Sequence, residues 1–140
     1  GQAIIRSLSK KTTLVIDFDP EVLQTVRHLG YQTGYGDLSD EEMLENVMNS
    51  RPKLVICTSP NVEDTVLLLH YIRQMRGKKP TVVVRSELER DTKLYYELGA
   101  DYVIQPHITS GATVGQAVQG ATFPLLKKWK TNDLHRYRTT

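Results

Sequence analysis

From Thr12 onward, short runs of β-branched and apolar residues alternate with helical patterns at intervals of about twenty residues. That alternation constrains the fold more than any other feature, because parallel strands need a crossover between them and the crossover is usually a helix. The strand candidates are 12–16, 31–35, 53–58, 81–84 and 101–104, and three of them are nearly all apolar, as strands covered on both faces are. Helix punctuation falls between them. Asp19 caps a helix with Pro20 in its first turn, Val22, Leu23, Val26 and Leu29 form its stripe, and Gly30 stops it. Ser39 and Glu42 read as a capping box ahead of Met43, Leu44 and Val47. Asn61 opens the next helix and Gly77 closes it; a fourth covers 89–98 and ends at Gly99. Past Ile104, Gly111, Gly115 and Gly120 predict a weak, closely packed helix at most, and the stretch after Phe123 has no clear period.

At 140 residues the chain is the size of one domain, and its 39% hydrophobic and 24% charged content is ordinary globular composition. The longest apolar run, Val66 to Leu69, meets His70 far short of the ~20 residues a membrane helix needs. Cys57, the single cysteine, forbids an internal disulfide and a multi-cysteine zinc site; following Leu54-Val55-Ile56, it predicts a buried thiol in a reducing cytosol. The net charge of +2 is unevenly spread. Lys127, Lys128, Lys130, Arg136 and Arg138 against Asp133 give residues 121–140 a charge of +4, which leaves −2 on the rest. The expected organisation is a domain over 1–120 followed by a basic tail or connector over 121–140. An acidic body of this kind excludes nucleic acid, whose phosphates require a basic face.

In an open parallel sheet the ligand sits beyond the carboxyl ends of the strands. The residues there are Asp17, Gly36 and Asp37, Thr58 and Ser59, Arg85 and Gln105. A carboxylate ending a strand suits the vicinal hydroxyls of a ribose, although Asp17 taken alone reads equally well as a turn residue. Its spacing from Gly1 favours the ribose. If Gly1 is the last glycine of a G-x-G-x-x-G fingerprint, the first lies about twenty residues before Asp17, as that fingerprint requires. Residues 1–8 then form the phosphate-binding helix, with Ala3, Ile4, Ile5 and Leu8 against the sheet, and the first strand is not among the 140 residues.

These residues resemble a family. Gly1-Gln2-Ala3-Ile4-Ile5 through Leu8, Val15-Ile16-Asp17-Phe18-Asp19-Pro20, Tyr35-Gly36-Asp37, Val55-Ile56-Cys57-Thr58, Val84-Arg85 and the run from Glu97 to Ile104 followed by Pro106, His107 and Gly111 are similar to the regulator-of-potassium-conductance domain, also called the TrkA-N or KTN domain. The resemblance covers residues 1 to about 120. It implies a Rossmann-like, doubly wound, mostly parallel α/β sheet in three layers, lacking its first strand. It also implies a cytoplasmic regulatory module at the inner face of the membrane, not an enzyme, that dimerises or forms a higher homo-oligomer. Its partner would be a potassium channel or cation/proton antiporter, in the same chain or as a separate subunit, and its ligand NAD, NADH, AMP, ADP or ATP. By the resemblance Gly1 approaches the pyrophosphate, Asp17 holds ribose, Asp37 and Leu38 border the adenine, Thr58 lies near the nicotinamide side and Arg85 meets a phosphate. Two positions depart from the family pattern. Asp64 stands where many members carry Asn, and Arg85-Ser86-Glu87 replaces the acidic calcium ligands of some channel-attached members, so no metal is expected there.

A second reading is a pseudo-receiver. Asp17 and Asp19 mimic the acidic pair of a two-component receiver, and the run from Gly99 to Pro106 mimics its closing strand. The chemistry opposes it, since Cys57 stands where the phosphoacceptor aspartate belongs and Gln105 where the lysine belongs. No Ser-His-Asp order, metal-binding helix or P-loop points to an enzyme; His28 and His70 fall on helices, and His107 follows a strand end. Tyr95 and Tyr96 are adjacent on a helix, so they cannot both be core.

Overall fold

A computed structural model describes residues 2–108, 114–115 and 123–138. In chain order the elements are α1 (Gln2–Ile5), β1 (Leu14–Asp17), α2 (Pro20–His28), β2 (Gln32–Tyr35), α3 (Glu41–Asn49), β3 (Leu54–Cys57), α4 (Val62–Gln74), β4 (Thr81–Arg85), α5 (Glu89–Glu97), β5 (Tyr102–Ile104) and α6 (Phe123–Arg138). The five expected strands and the intervening helices are all present. The chain forms two compact units, residues 1–103 and 104–140.

In the first unit the strands make two parallel groups. β1 pairs with β2 in the register Leu14↔Gln32 to Asp17↔Tyr35, and β3 pairs with β4 from Leu54↔Thr81 to Cys57↔Val84, with β5 beyond β4. No ladder joins β1 to β3 among the described residues. A doubly wound sheet of order 3-2-1-4-5-6 divides in this way when its strand 1 is taken out. A receiver-type sheet, of order 2-1-3-4-5, would instead pair β1 directly with β3. The expectation that apolar strands are covered throughout fails at this break: Leu14 is 50% and Leu54 45% exposed, each at the start of a strand with one open edge.

Helix packing follows the same division. Leu44 and Met48 of α3, Leu68, Leu69 and Ile72 of α4, and Tyr95 of α5 share one core with Cys57, Val82, Val84, Ala100 and Val103. Val82 and Val84 alternate along β4 and point into it, while Val83 on the other face is half-buried. Leu23 and Val26 of α2 are buried outside that cluster, where α2 packs on β1 and β2.

Local chemistry explains the boundaries. Asp19 caps α2 by accepting the Glu21 N–H at 2.9 Å, Pro20 fits the first turn, and Gly30 takes φ +93° to end the helix. Asn61 caps α4 in the same way, and Gly99 follows α5 at φ +103°. The capping box at Ser39 is corrected. Asp40 is the cap of α3 and accepts the Met43 N–H at 3.2 Å, whereas the Ser39 N–H is taken by Asp37 Oδ1 at 3.0 Å, so the helix starts one residue later. The first helix is also shorter than expected. After Ile5 the chain tightens into bonds from Ser7 N–H to Ile4 O and from Leu8 N–H to Ile5 O, the i to i−3 pattern that ends a helix. Tyr31 secures this end, donating its hydroxyl to Ile5 O at 2.6 Å with Leu8 O at 3.2 Å.

In the second unit, the stretch after Phe123, which lacks a clear period, is helical as α6. Leu125, Leu126, Lys127, Lys128 and Lys130 are good helix formers, and propensity needs no apolar stripe. Gly111 and Gly120 lie outside the described residues.

Candidate functional site

The carboxyl ends of β1 and β2 bring three of the sequence candidates together. Asp17 ends β1, and its main-chain oxygen accepts the Gly36 N–H at 3.2 Å, which ties the first residue after β2 to the last residue of β1. The Asp17 carboxylate is half-buried. Oδ1 accepts the Asp19 N–H at 2.9 Å, and Oδ2 takes part in no hydrogen bond among the described residues. Both structural roles expected of this region are therefore present: Asp17 makes the turn, Asp19 makes the cap, and one carboxylate oxygen is left over.

Gly36 is closely packed. A Cβ there would stand 2.8 Å from Met43 Cγ and 3.3 Å from Ile16 Cγ2. Asp37 is exposed with Oδ1 on the Ser39 N–H, and Leu38 is half-buried against the core below α3. Gly1, the proposed pyrophosphate contact, lies outside the described residues.

Thr58 and Arg85 stand at the ends of β3 and β4, in the other strand group. Thr58 is half-buried beside Cys57. Ser59 donates its hydroxyl to Asp64 Oδ2 at 3.1 Å, which ties the β3–α4 loop to the first turn of α4. The Arg85 guanidinium pairs with Glu87 through Nη2, and its Nε is buried without an acceptor among the described residues. The same pairing occupies the glutamate where a calcium ligand would be needed. Among the described residues no three His, Cys, Asp or Glu side chains gather as a metal site.

Beneath Thr58, Cys57 is buried with Sγ 3.9 Å from the Thr65 hydroxyl. Burial pushes its thiol pKa up, with the Ser59 main chain and the Thr65 hydroxyl drawing part of that shift back and the Asp64 charge adding to it. Tyr95 is buried too, and loss of solvent raises its phenol pKa against a hydrogen bond with Thr65. Its neighbour Tyr96 is exposed and accepts the Val103 N–H at 3.1 Å, so the adjacent tyrosines divide between core and surface. His28 donates Nδ1–H to Gln24 O at 2.7 Å within its own helix, and His70 is exposed on α4.

Two aromatic residues at these strand ends were not singled out from the sequence. Phe18, between Asp17 and Asp19, is 64% exposed, and Tyr35, the register partner of Asp17, is 75% exposed. The available signal was an apolar aromatic set between two turn-forming aspartates, a place where a small polar residue would satisfy the fold.

Parallel strand groups joined by helices, with a carboxylate at the end of β1, define a Rossmann-like domain. The family model described as the TrkA-N domain matches residues 1–106, and the chain belongs to that family. Solved structures agree on the fold. The TrkA-N domain of inner membrane protein ybaL from Escherichia coli is 16% identical, with a TM-score of 0.67 over 82% of this chain and 82% of that one. The GsuK RCK domain is 19% identical, with a TM-score of 0.69 over 89% of this chain and 27% of that one. The GsuK channel bound to NAD is 16% identical, with a TM-score of 0.61 over 74% of this chain; the match spans only 19% of the channel chain.

Proposed function

We propose that this chain is a nucleotide-sensing regulatory domain. It binds NAD, NADH or another adenine nucleotide (AMP, ADP or ATP) at the carboxyl ends of β1 and β2. It passes occupancy to a potassium channel or cation/proton antiporter, in the same polypeptide or as a separate subunit, at the cytoplasmic face of the membrane. Family membership and the NAD- and ADP-bound forms of GsuK support the ligand class. The observation that carries the reading is the spare Asp17 oxygen, held in place by the turn that Oδ1 makes. Such an oxygen accepts a ribose hydroxyl and repels a 2′-phosphate, which favours NAD over NADP. Asp37 and Leu38 border the base, and Thr58 and Arg85 face the far end of an extended dinucleotide.

The domain acts by binding, not catalysis. A nucleotide that prefers one arrangement of a homodimer shifts the transporter by no more than its affinity difference between the two arrangements. A tenfold preference supplies ~1.4 kcal/mol per site, so several sites acting together gate more steeply than one.

Calorimetry of the full-length protein with NADH, NAD, AMP and ATP tests this. Binding of at least one nucleotide, lost or weakened at least tenfold in Asp17→Ala, is expected. Absence of binding to all four refutes the reading.

A further inference from the structure

Six cations gather at the amino-terminal ends of β3 and β4, the opposite end of those strands from Thr58 and Arg85. Arg51 and Lys53 stand in the turn between α3 and β3, Arg73 in the last turn of α4, and Arg76, Lys78 and Lys79 in the turn before β4; all six are exposed. Residues 46–62 and 65–86 hold no Asp or Glu. The six charges sit in residues 1–120, whose net charge is −2, and leave −8 on the remainder. Attraction of cations to a helix end accounts for Arg73; the other five lie past the caps Ser50 and Met75. Arg51 is the one residue other than glycine with a positive φ among the described residues, at +54°, a conformation that glycine or asparagine adopts at less cost. Its Nη1 donates to Arg76 O at 3.2 Å, and Lys79 Nζ donates to Arg73 O, so main-chain oxygens lace the turns together and neutralise no charge. The ion pairs among the described residues involve none of the six. Glu97 and Asp101, in the crossover from α5 into β5, stand to one side, and Asp101 turns its carboxylate to the Val82 N–H at 2.7 Å. Holding like charges together costs repulsion that a partner of opposite sign relieves.

We infer that this end of the domain is a docking face for an anionic phospholipid surface. The choice of a membrane as the polyanion rests on the proposed placement beside a membrane transporter; the charge distribution does not. Leu54 pairs with Thr81 at the start of the two strands, so the turns that precede them end at one level and can meet a flat array of headgroups together. Pro52 and Met75 are half-buried and Pro80 is buried, so what these turns present is charge, and the contact stays at the headgroups without insertion. Each Lys or Arg close to such a surface strengthens the contact about fivefold, and salt screens it. β3 and β4 are four and five residues long, which sets the docking face about 13–17 Å from the opposite strand ends. A domain docked in this way turns the proposed nucleotide site away from the bilayer, open to a dissolved ligand.

The test records amide exchange of the full-length protein with bilayers of phosphatidylcholine alone and of equal parts phosphatidylcholine and phosphatidylglycerol, at low and high salt. Lys53, Arg76 and Lys78 make no side-chain hydrogen bond or ion pair among the described residues, so a variant combining Lys53→Gln, Arg76→Gln and Lys78→Gln removes charge without unlacing the turns. At low salt the anionic bilayer is expected to slow exchange in residues 50–53 and 75–79 by about fivefold or more, to leave residues 17–21 and 36–40 at the other strand ends unchanged, and to lose its effect at high salt. The triple variant is expected to keep its thermal midpoint and to lose the slowing, since its three charges together account for roughly a hundredfold in binding. Equal exchange on both bilayers, slowing that survives high salt, or slowing confined to the basic helix α6 overturns the docking face. Slowing of the same turns by duplex DNA, with none by the anionic bilayer, overturns the choice of partner. Absence of slowing in a protein that binds AMP overturns the docking face and leaves the nucleotide reading standing; slowing in a protein that binds no nucleotide does the reverse.

Discussion

Gly36→Ala probes how tightly the strand ends of the site are packed. Gly36 needs no unusual backbone angle, so the effect of a methyl group there is steric and local. The new Cβ would lie 2.8 Å from Met43 Cγ, 3.4 Å from Met43 Sδ and 3.3 Å from Ile16 Cγ2. Overpacking of this kind costs about 1–3 kcal/mol. Met43 is unbranched and can swing away, which places the expected cost at about 1–2 kcal/mol. Ile16, on a paired strand, has less freedom to move. In a unit of this size each kcal/mol lowers the thermal midpoint by roughly 4–8 °C. Urea denaturation of wild type, Gly36→Ala, Met43→Ala and the double variant isolates the clash. Removing Met43 beyond Cβ clears the closest contact, so the double variant should be more stable than the sum of the single effects by about 1 kcal/mol. Strict additivity would show that Gly36→Ala acts through something other than Met43, and the packing argument would fall.

Three further outcomes follow from described contacts. Tyr31→Phe removes the hydroxyl that serves Ile5 O and Leu8 O, and should cost about 1 kcal/mol, with faster amide exchange confined to residues 2–8 and the start of β2. Asp40→Ala should destabilise by about 1 kcal/mol through loss of the Met43 N–H cap, while Ser39→Ala should change stability by a few tenths, measured by the same denaturation. The Cys57 thiol is pushed up in the folded state by burial, so unfolding exposes a stronger acid. Stability is therefore retained below the ordinary thiol range and falls as the pH rises through it towards the folded value, and Cys57→Ala should remove that part of the alkaline slope.

Much of the fold was readable because backbone chemistry punctuates it. Asp19 and Asn61 act through side-chain oxygens on the N–H two residues ahead, Pro20, Gly30 and Gly99 act through their own main chains, and the structure uses each in the expected way. The run Leu54 to Cys57 is a strand because nothing else accommodates a short β-branched apolar segment between a turn and a helix start. Ser39 and Asp40 are both good caps, and periodicity cannot separate neighbours; the deciding contact is Asp37 taking the Ser39 N–H. Tyr31 reaching back 26 residues to Ile5 O is invisible to any local pattern. α6 was missed because its helix rests on residue propensity without the apolar stripe by which helices are recognised. The placement of Asp17, Gly36 and Asp37 at strand ends was legible from the order of strands and helix caps. The exposure of Phe18 was not, because an apolar residue beside a strand is ordinarily assigned to the core.

The division of the sheet has a consequence for how the protein breathes. β1 and β3 each have one paired neighbour among the described strands, whereas β4 lies between β3 and β5. Along a strand paired on one side, every second amide points to the open edge. Deuterium uptake should therefore alternate residue by residue through β1 and β3 and be uniformly slow through β4. The chain crosses between the two strand groups through α3, whose buried face belongs to the β3 side. The β1–β2 group, which carries Asp17, Phe18 and Gly36, meets that helix at Gly36, where Met43 of α3 and Ile16 of β1 crowd the same point.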